Sequence, residues 1–284
     1  MIKKMELKDF TELVNHKLIT DVTYYDYYKK NESELANLSM EEIAQRGFVA
    51  QPASSVELVE KGIAVLPNNT IETAADFLAE LKTNGYIKLN SDVNLNGPII
   101  WEEGEAIVDL NGHNIKVGAF AESNGEILEG NSDSFVFWVK GGKFTVNGKG
   151  SIETAAVKYS INVWAQGGEV YLNGGKYMNA GEGSDLIYAS GIGKIYISGG
   201  EFIPCIKQEG VPGTANKYTA LNIKDRDRDN CVIEVTGGKF HNFNPADNLS
   251  ENPKMNFVAE GYESVETEPG IFEIQKVEIV VDEQ

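Results

Sequence analysis

From about residue 85 to 245 the chain alternates apolar and polar side chains in runs of three to five, each closed by glycine or asparagine. One stretch reads Glu169, Val170, Tyr171, Leu172, Asn173, then Gly174 and Gly175, then Lys176, Tyr177, Met178, Asn179, and after a short break Asp185, Leu186, Ile187, Tyr188. Period two marks strands with one buried face, and strands this short bury too little to stand alone. Aligned on a polar residue followed by glycine, the segments Asp109-Leu-Asn-Gly112, Thr145-Val-Asn-Gly148, Tyr171-Leu-Asn-Gly174, Tyr196-Ile-Ser-Gly199 and Glu234-Val-Thr-Gly237 recur, their glycines 36, 26, 25 and 38 residues apart. Two steps near 25 and two longer ones describe a solenoid whose core repeat carries loop insertions. Each strand then pairs in parallel with its equivalent one coil on, about 4.8 Å away. The interior is predicted to hold Val108 and Leu110, Phe144 and Val146, Val170 and Leu172, Ile195 and Ile197, and Ile233 and Val235. The predicted fold class is therefore all-β: a right-handed parallel β-helix.

The punctuation has a local cause. A coil must turn sharply between strands, and glycine accepts positive φ at the least steric cost, with asparagine next. Asn111, Asn147 and Asn173 precede such glycines, so a ladder of stacked amides is expected between coils. Upstream, Thr70 as N-cap with Thr73 in the capping-box position, apolar Ala74, Phe77, Leu78 and Leu81, and Gly85 as stop predict an amphipathic helix over 70–84 that caps the solenoid. Downstream, Asn256 to Val265 and Ile271 to Ile274 around Pro269-Gly270 predict a strand pair within a C-terminal β cap, 246–284. Residues 1–69 show no repeat and no core of their own. They hold Tyr24, Tyr25, Tyr27 and Tyr28 and a short helix expected from Ser39 to Arg46, and they read as an extended N-terminal arm whose tyrosines bind a partner.

Charge narrows the partners. The 284 residues carry 43 Asp and Glu against 25 Lys and Arg, a formal charge of −18, which repels phosphate backbones and anionic lipid heads. Neither nucleic acid nor a membrane is an expected partner. Met1 to Phe10 contains no apolar signal-peptide region, so export is not expected, and Cys205 and Cys231, 26 apart, fit no zinc or redox spacing and read as buried thiols in a reducing cytoplasm.

Candidate chemistry is sparse. Glycoside hydrolysis needs two carboxyl groups about 5 to 9.5 Å apart, whereas Asp109 and Glu234 fall several coils from each other. Asp225, Arg226, Asp227, Arg228 and Asp229 read as a self-neutralising solvated turn. His16, His113 and His241 have no metal or triad spacing. The expectation is no enzyme, no catalytic residue, no metal and no cofactor. Outward aromatics Trp138, Trp164, Tyr171, Tyr188 and Tyr196 suit sugar rings or a second subunit; Trp138, Trp164, Tyr171 and Tyr196 are the candidate glycan or subunit contacts.

The run Val108 to Ile115, the motifs GGKF and GGEF at Gly141 to Phe144, Gly199 to Phe202 and Gly237 to Phe240, and the ending HNFNPADN followed by NFVAEGYESVE resemble a β-helix module of virion proteins in tailed, crAss-like gut bacteriophages, over about residues 70–275. The resemblance implies a capsid head fibre or decoration protein, homotrimeric, assembled in the host cytoplasm into the virion, and attached to the capsid or another virion protein through its N-terminal segment. A polysaccharide-degrading or polysaccharide-binding, tailspike-like protein is the alternative.

Overall fold

A computed structural model describes residues 71, 73–157, 159–179, 185–204, 220–248, 250 and 254–277. The arm with Tyr24, Tyr25, Tyr27 and Tyr28, the helix expected at Ser39 to Arg46, Thr70, Cys205 and the last seven residues lie outside the described residues. The described residues fall into two units, Glu80–Lys88 in one and the remainder in the other.

The helix α1 is Ala74–Asn84. Its cap is Thr73: the Asp76 backbone N–H donates to Thr73 Oγ1 at 3.1 Å, and the Thr73 N–H donates to Asp76 Oδ2 at 3.0 Å. This reciprocal pair is a capping box, three residues later than the expected Thr70 start, because Asp76 supplies the acid that Thr73 was expected to replace. The Ala74 N–H donates to Asn96 Oδ1 at 3.1 Å. Gly85, at φ 68°, ends the helix by donating to Leu81 O.

The rest is predominantly β, and the sheets are parallel in part. In chain order the strands are β1 (Tyr86–Lys88), β2 (Val93–Leu95), β3 (Ile99–Trp101), β4 (Glu105–Asp109), β5 (Ile115–Val117), β6 (Phe120–Ser123), β7 (Glu126–Val139), β8 (Lys143–Asn147), β9 (Ser151–Thr154), β10 (Tyr159–Ala165), β11 (Glu169–Met178), β12 (Ile187–Ala189), β13 (Lys194–Ile203), β14 (Leu221–Ile223), β15 (Val232–Val235), β16 (Lys239–His241), β17 (Tyr262–Glu268) and β18 (Ile271–Lys276). Three columns of parallel pairing organise them. One runs β4, β8, the first half of β11, the first half of β13, then β15. A second runs β2, β5, β9, the second halves of β11 and β13, then β16. The third runs β3, β7, β10, β12, β14.

The long strands β11 and β13 serve two columns because they bend at glycine pairs. A Cβ on Gly174 would lie 2.4 Å from Gly148 O, and Gly175 sits at φ 86°, so this corner excludes side chains both by the neighbouring backbone and by its own dihedral.

Register stacks like on like. Val146, Leu172, Ile197 and Val235 pair in sequence and all are buried, as the alternation predicts. Ile152, Tyr177, Phe202 and Phe240 form a second buried column. Its rings lie nearly parallel, with Tyr177 to Phe202 at 4.9 Å and Phe202 to Phe240 at 4.6 Å.

Two sequence expectations are corrected. Val108, not Leu110, pairs with Val146, and Asp109 pairs with Asn147; the first step is 38 residues, not the 36 that alignment on the glycine predicts. A slip of two preserves which face is buried, so alternation cannot distinguish the registers, and Asn111 and Gly112, at φ 48° and 87°, absorb the extra pair in a turn. The GGKF of Gly141 to Phe144 is also not equivalent to the later two. Lys143 pairs with Glu169 in the first column, whereas Glu201 pairs with Lys239 in the second. Both corners need glycines at a close backbone approach followed by an outward charge and an inward aromatic, so the same four letters arise twice.

Among the described residues antiparallel pairing occurs in two places. β6 and β7 form a hairpin around Asn124 and Gly125, at φ 52° and 88°, which the stacked-run reading did not foresee. Pro269 and Gly270 join β17 to β18, and β18 pairs antiparallel with β16. Asn256 to Ala259 are not part of that hairpin; Val258 instead bridges Val235 in parallel.

Candidate functional site

The candidate contact residues separate into two groups on different sheets. In the third column, register places Ile100, Trp138, Trp164, Tyr188 and Asn222 one above another. The two indoles stack at 4.5 Å and 4°. Trp138 Nε1 donates to Gln166 Oε1 at 3.0 Å, and Trp164 Nε1 donates to Ser190 Oγ at 2.8 Å, so each N–H is satisfied by a residue just past the neighbouring strand. The Trp138 ring is further covered by the Phe135 edge at 6.0 Å and by the Lys140 ammonium 4.1 Å from its centroid. Only 3% of Trp138 remains exposed. It therefore packs within the chain and presents no free face to a sugar or subunit, a correction to its expected outward role; Trp164 is half-buried. Burial pushes the Tyr188 hydroxyl up to about 12, helped by the negative charges of Asp185, Asp227 and Asp225.

The second group lies outward on the first column. Tyr171 and Tyr196 stack at 5.1 Å and 20°, half-buried. Beside them on the same strands runs a line of alternating charge, Glu105, Lys143, Glu169 and Lys194, set by register. Lys194 Nζ donates to Glu169 Oε1 at 3.0 Å, and Lys143 lies 3.8 Å from Glu105. The Tyr171 hydroxyl donates to Glu169 Oε2 at 3.1 Å. Hydrogen bonds from Lys194 and then Tyr171 hold the Glu169 carboxyl below its ordinary range, and Glu169 in turn raises Lys194. On the other side of the tyrosines is the expected amide ladder: Asn173 Nδ2 donates to Asn147 Oδ1 at 2.9 Å and Ser198 Oγ donates to Asn173 Oδ1 at 2.7 Å. Asn111 does not join it, because the two-residue register change turns its amide to Leu89 O.

A concave feature that sequence reading missed is an open groove of about 640 Å³ along the glycine corner, lined by Asn114, Ser151, Asn173, Lys176 and Glu201. Asn114 Oδ1 accepts from the Ser151 N–H and hydroxyl at 2.9 and 2.8 Å, while Asn114 itself donates to Asp92. Glu201 binds Lys176 at 3.3 Å and His241 Nε2 at 2.8 Å. Burial pushes the Glu201 carboxyl up, yet His241 and Lys176 outweigh it and the net displacement is downward. The available signal was the alternation Lys176, Glu201, Lys239 after successive glycine pairs. These groups offer donors and acceptors suited to hydroxyl-rich ligands.

Asp225–Asp227 form a 3-10 turn in which Arg226 lies 3.8 Å from Asp227 and Arg228 lies 3.7 Å from Asp225; Asp227 Oδ2 also accepts the Gly191 N–H at 2.7 Å. Asp109 and Glu234 stand on β4 and β15 with β8, β11 and β13 between them, roughly 19 Å at sheet spacing. Cys231 is buried, and burial raises its thiol. Among the described residues no group of three His, Cys, Asp or Glu is placed to hold a metal ion, and no helix is long and apolar enough to cross a membrane. No protein family, curated protein or solved structure matches the chain.

Proposed function

We propose that the chain is a right-handed parallel β-helix acting as a structural virion protein of a tailed phage, a head fibre or capsid decoration protein, non-enzymatic, self-associating, and held to the capsid by residues 1–69. The observation that carries this reading is the in-register stacking of like residues through all three strand columns. Such stacking builds a stiff shaft by repetition, and right-handed crossover is the rule for parallel strands. The resemblance of the repeat and the C-terminal ending to phage β-helix modules supplies the virion context. The test is a deletion of residues 1–69: the remaining protein keeps its β spectrum but no longer joins the particle. Retained incorporation refutes the anchor, and loss of folding assigns the arm to the core.

A second reading, polysaccharide binding, is favoured by the polar groove and its array of Asn114, Asn173, Lys176 and Glu201. Binding to host glycans that Glu201→Ala and Asn173→Ala abolish supports it.

A further inference from the structure

The outward side of β4, β8, β11 and β13 is a grid whose rows are strands and whose columns are set by register. Its first column reads Glu105, Lys143, Glu169, Lys194. Strict alternation has two consequences. Within the chain each charge meets its opposite on the next strand. The four charges also sum to zero, on a chain whose formal charge is −18, so two copies approach here against less repulsion than an average surface imposes.

The order matters more than the sum. A half-turn about an axis lying along the strands, midway between β8 and β11, reverses the order of rows and leaves position along each strand unchanged. Glu105 then faces the partner's Lys194, and Lys143 faces the partner's Glu169, each pairing occurring twice. The second column obeys the same operation: Ile107 meets the partner's Tyr196, and Thr145 meets the partner's Tyr171. In the third, the exposed amide of Asn173 meets that of the partner's Asn147. The four charges of the first column are matched and Tyr196 faces the partner's Ile107, while Asp109, closing the third column on β4, meets the partner's Ser198. The other two-fold, about an axis across the strands, keeps the order of rows but reverses position along each strand, so Glu105 meets the partner's Asp109 and Lys143 meets the partner's Asn147, which pairs none of the four charges with its opposite. The closed two-fold along the strands uses the pattern fully.

We infer that this face pairs two copies of the chain about that two-fold axis, with the Glu105, Lys143, Glu169, Lys194 line as its self-complementary charge code. The face measures roughly 14 by 13 Å between its outer backbone rows, below the area of stable dimers, so the association is weak, reversible and weakened by salt. It rests on a different observation from the virion reading and survives or fails separately.

The experiment is sedimentation velocity on the full chain up to about 0.5 mM, a range chosen for an interface of this size. The parent is expected to form a reversible dimer. Glu169→Lys alone places Lys against the partner's Lys143 twice, and Lys143→Glu alone places Glu against the partner's Glu169 twice; each weakens pairing more than about tenfold. Mixing the two variants restores both contacts, so the 1:1 mixture dimerises where neither variant does. Circular dichroism checks each fold, and the outer pair, Glu105→Lys mixed with Lys194→Glu, repeats the logic should either inner variant misfold. A parent that stays monomeric, a trimer, or a mixture that pairs no better than its components overturns the proposal.

Discussion

Phe202 is the most informative single position for the energetics of stacking. Its ring is fully buried between Tyr177 at 4.9 Å and 4° and Phe240 at 4.6 Å and 9°, and its strand is paired on both sides, to β11 and to β16. Backbones held from two directions cannot close over a void. Phe202→Ala therefore removes the apolar transfer energy and leaves a cavity, together about 3–5 kcal/mol, and it also cancels two ring contacts at about 0.5–1.5 kcal/mol each. Allowing for overlap between those terms, the expected loss is about 4–6 kcal/mol. Phe202→Leu keeps most of the volume and loses only the ring contacts and a small residual gap, about 1–3 kcal/mol. The assay is urea unfolding followed by intrinsic fluorescence with linear extrapolation. The alanine variant should also lower the thermal midpoint by roughly 10 °C. A Phe202→Ala cost under about 2 kcal/mol, or equal costs for the two variants, would refute the idea that a continuous ring stack supports the second column.

Three further outcomes are expected. Leu172→Asp inserts a charge into the dry column between Val146 and Ile197 and should cost more than about 3 kcal/mol, or prevent folding, by the same urea assay. Asn162 is buried and its Nδ2 donates to Ile152 O at 2.6 Å and Met178 O at 2.9 Å; Asn162→Ala withdraws both donors and should cost about 1–3 kcal/mol, with faster amide exchange on β9 and β11 as the local readout. Tyr188, raised to about 12, should ionise after the exposed tyrosines in an ultraviolet titration; since the unfolded side chain ionises near 10, its contribution is intact below that value and is lost as the pH climbs from about 10 to 12. Titration of Tyr188 together with exposed tyrosines contradicts its burial.

Much was legible in the chain because it depends on local chemistry. The alternation around Val146, Leu172, Ile197 and Val235 dictates which side chains leave water, and repetition of that pattern places them in one column. Pro269-Gly270 encodes its turn within two residues, and Asn147, Asn173 and Ser198 form their ladder because a spacing of 26 and then 25 residues brings each to the same place on successive strands. The capping box was one cap residue from being read: Thr73 and Asp76 carry it in full view.

What tertiary structure alone decided is everything that depends on which neighbour stands opposite. An even slip keeps the same face buried, so only the turn at Asn111 and Gly112 sets Val108 against Val146. Trp138 looks outward by parity, yet Phe135, Lys140, Trp164 and Gln166 close over it. Identical GGKF letters occupy two corners because each meets different backbone. Alternation of charge along Glu105, Lys143, Glu169 and Lys194 is invisible in a chain where those residues stand 38, 26 and 25 apart, and it becomes a single line only when hydrogen-bonded register brings the strands to sheet spacing.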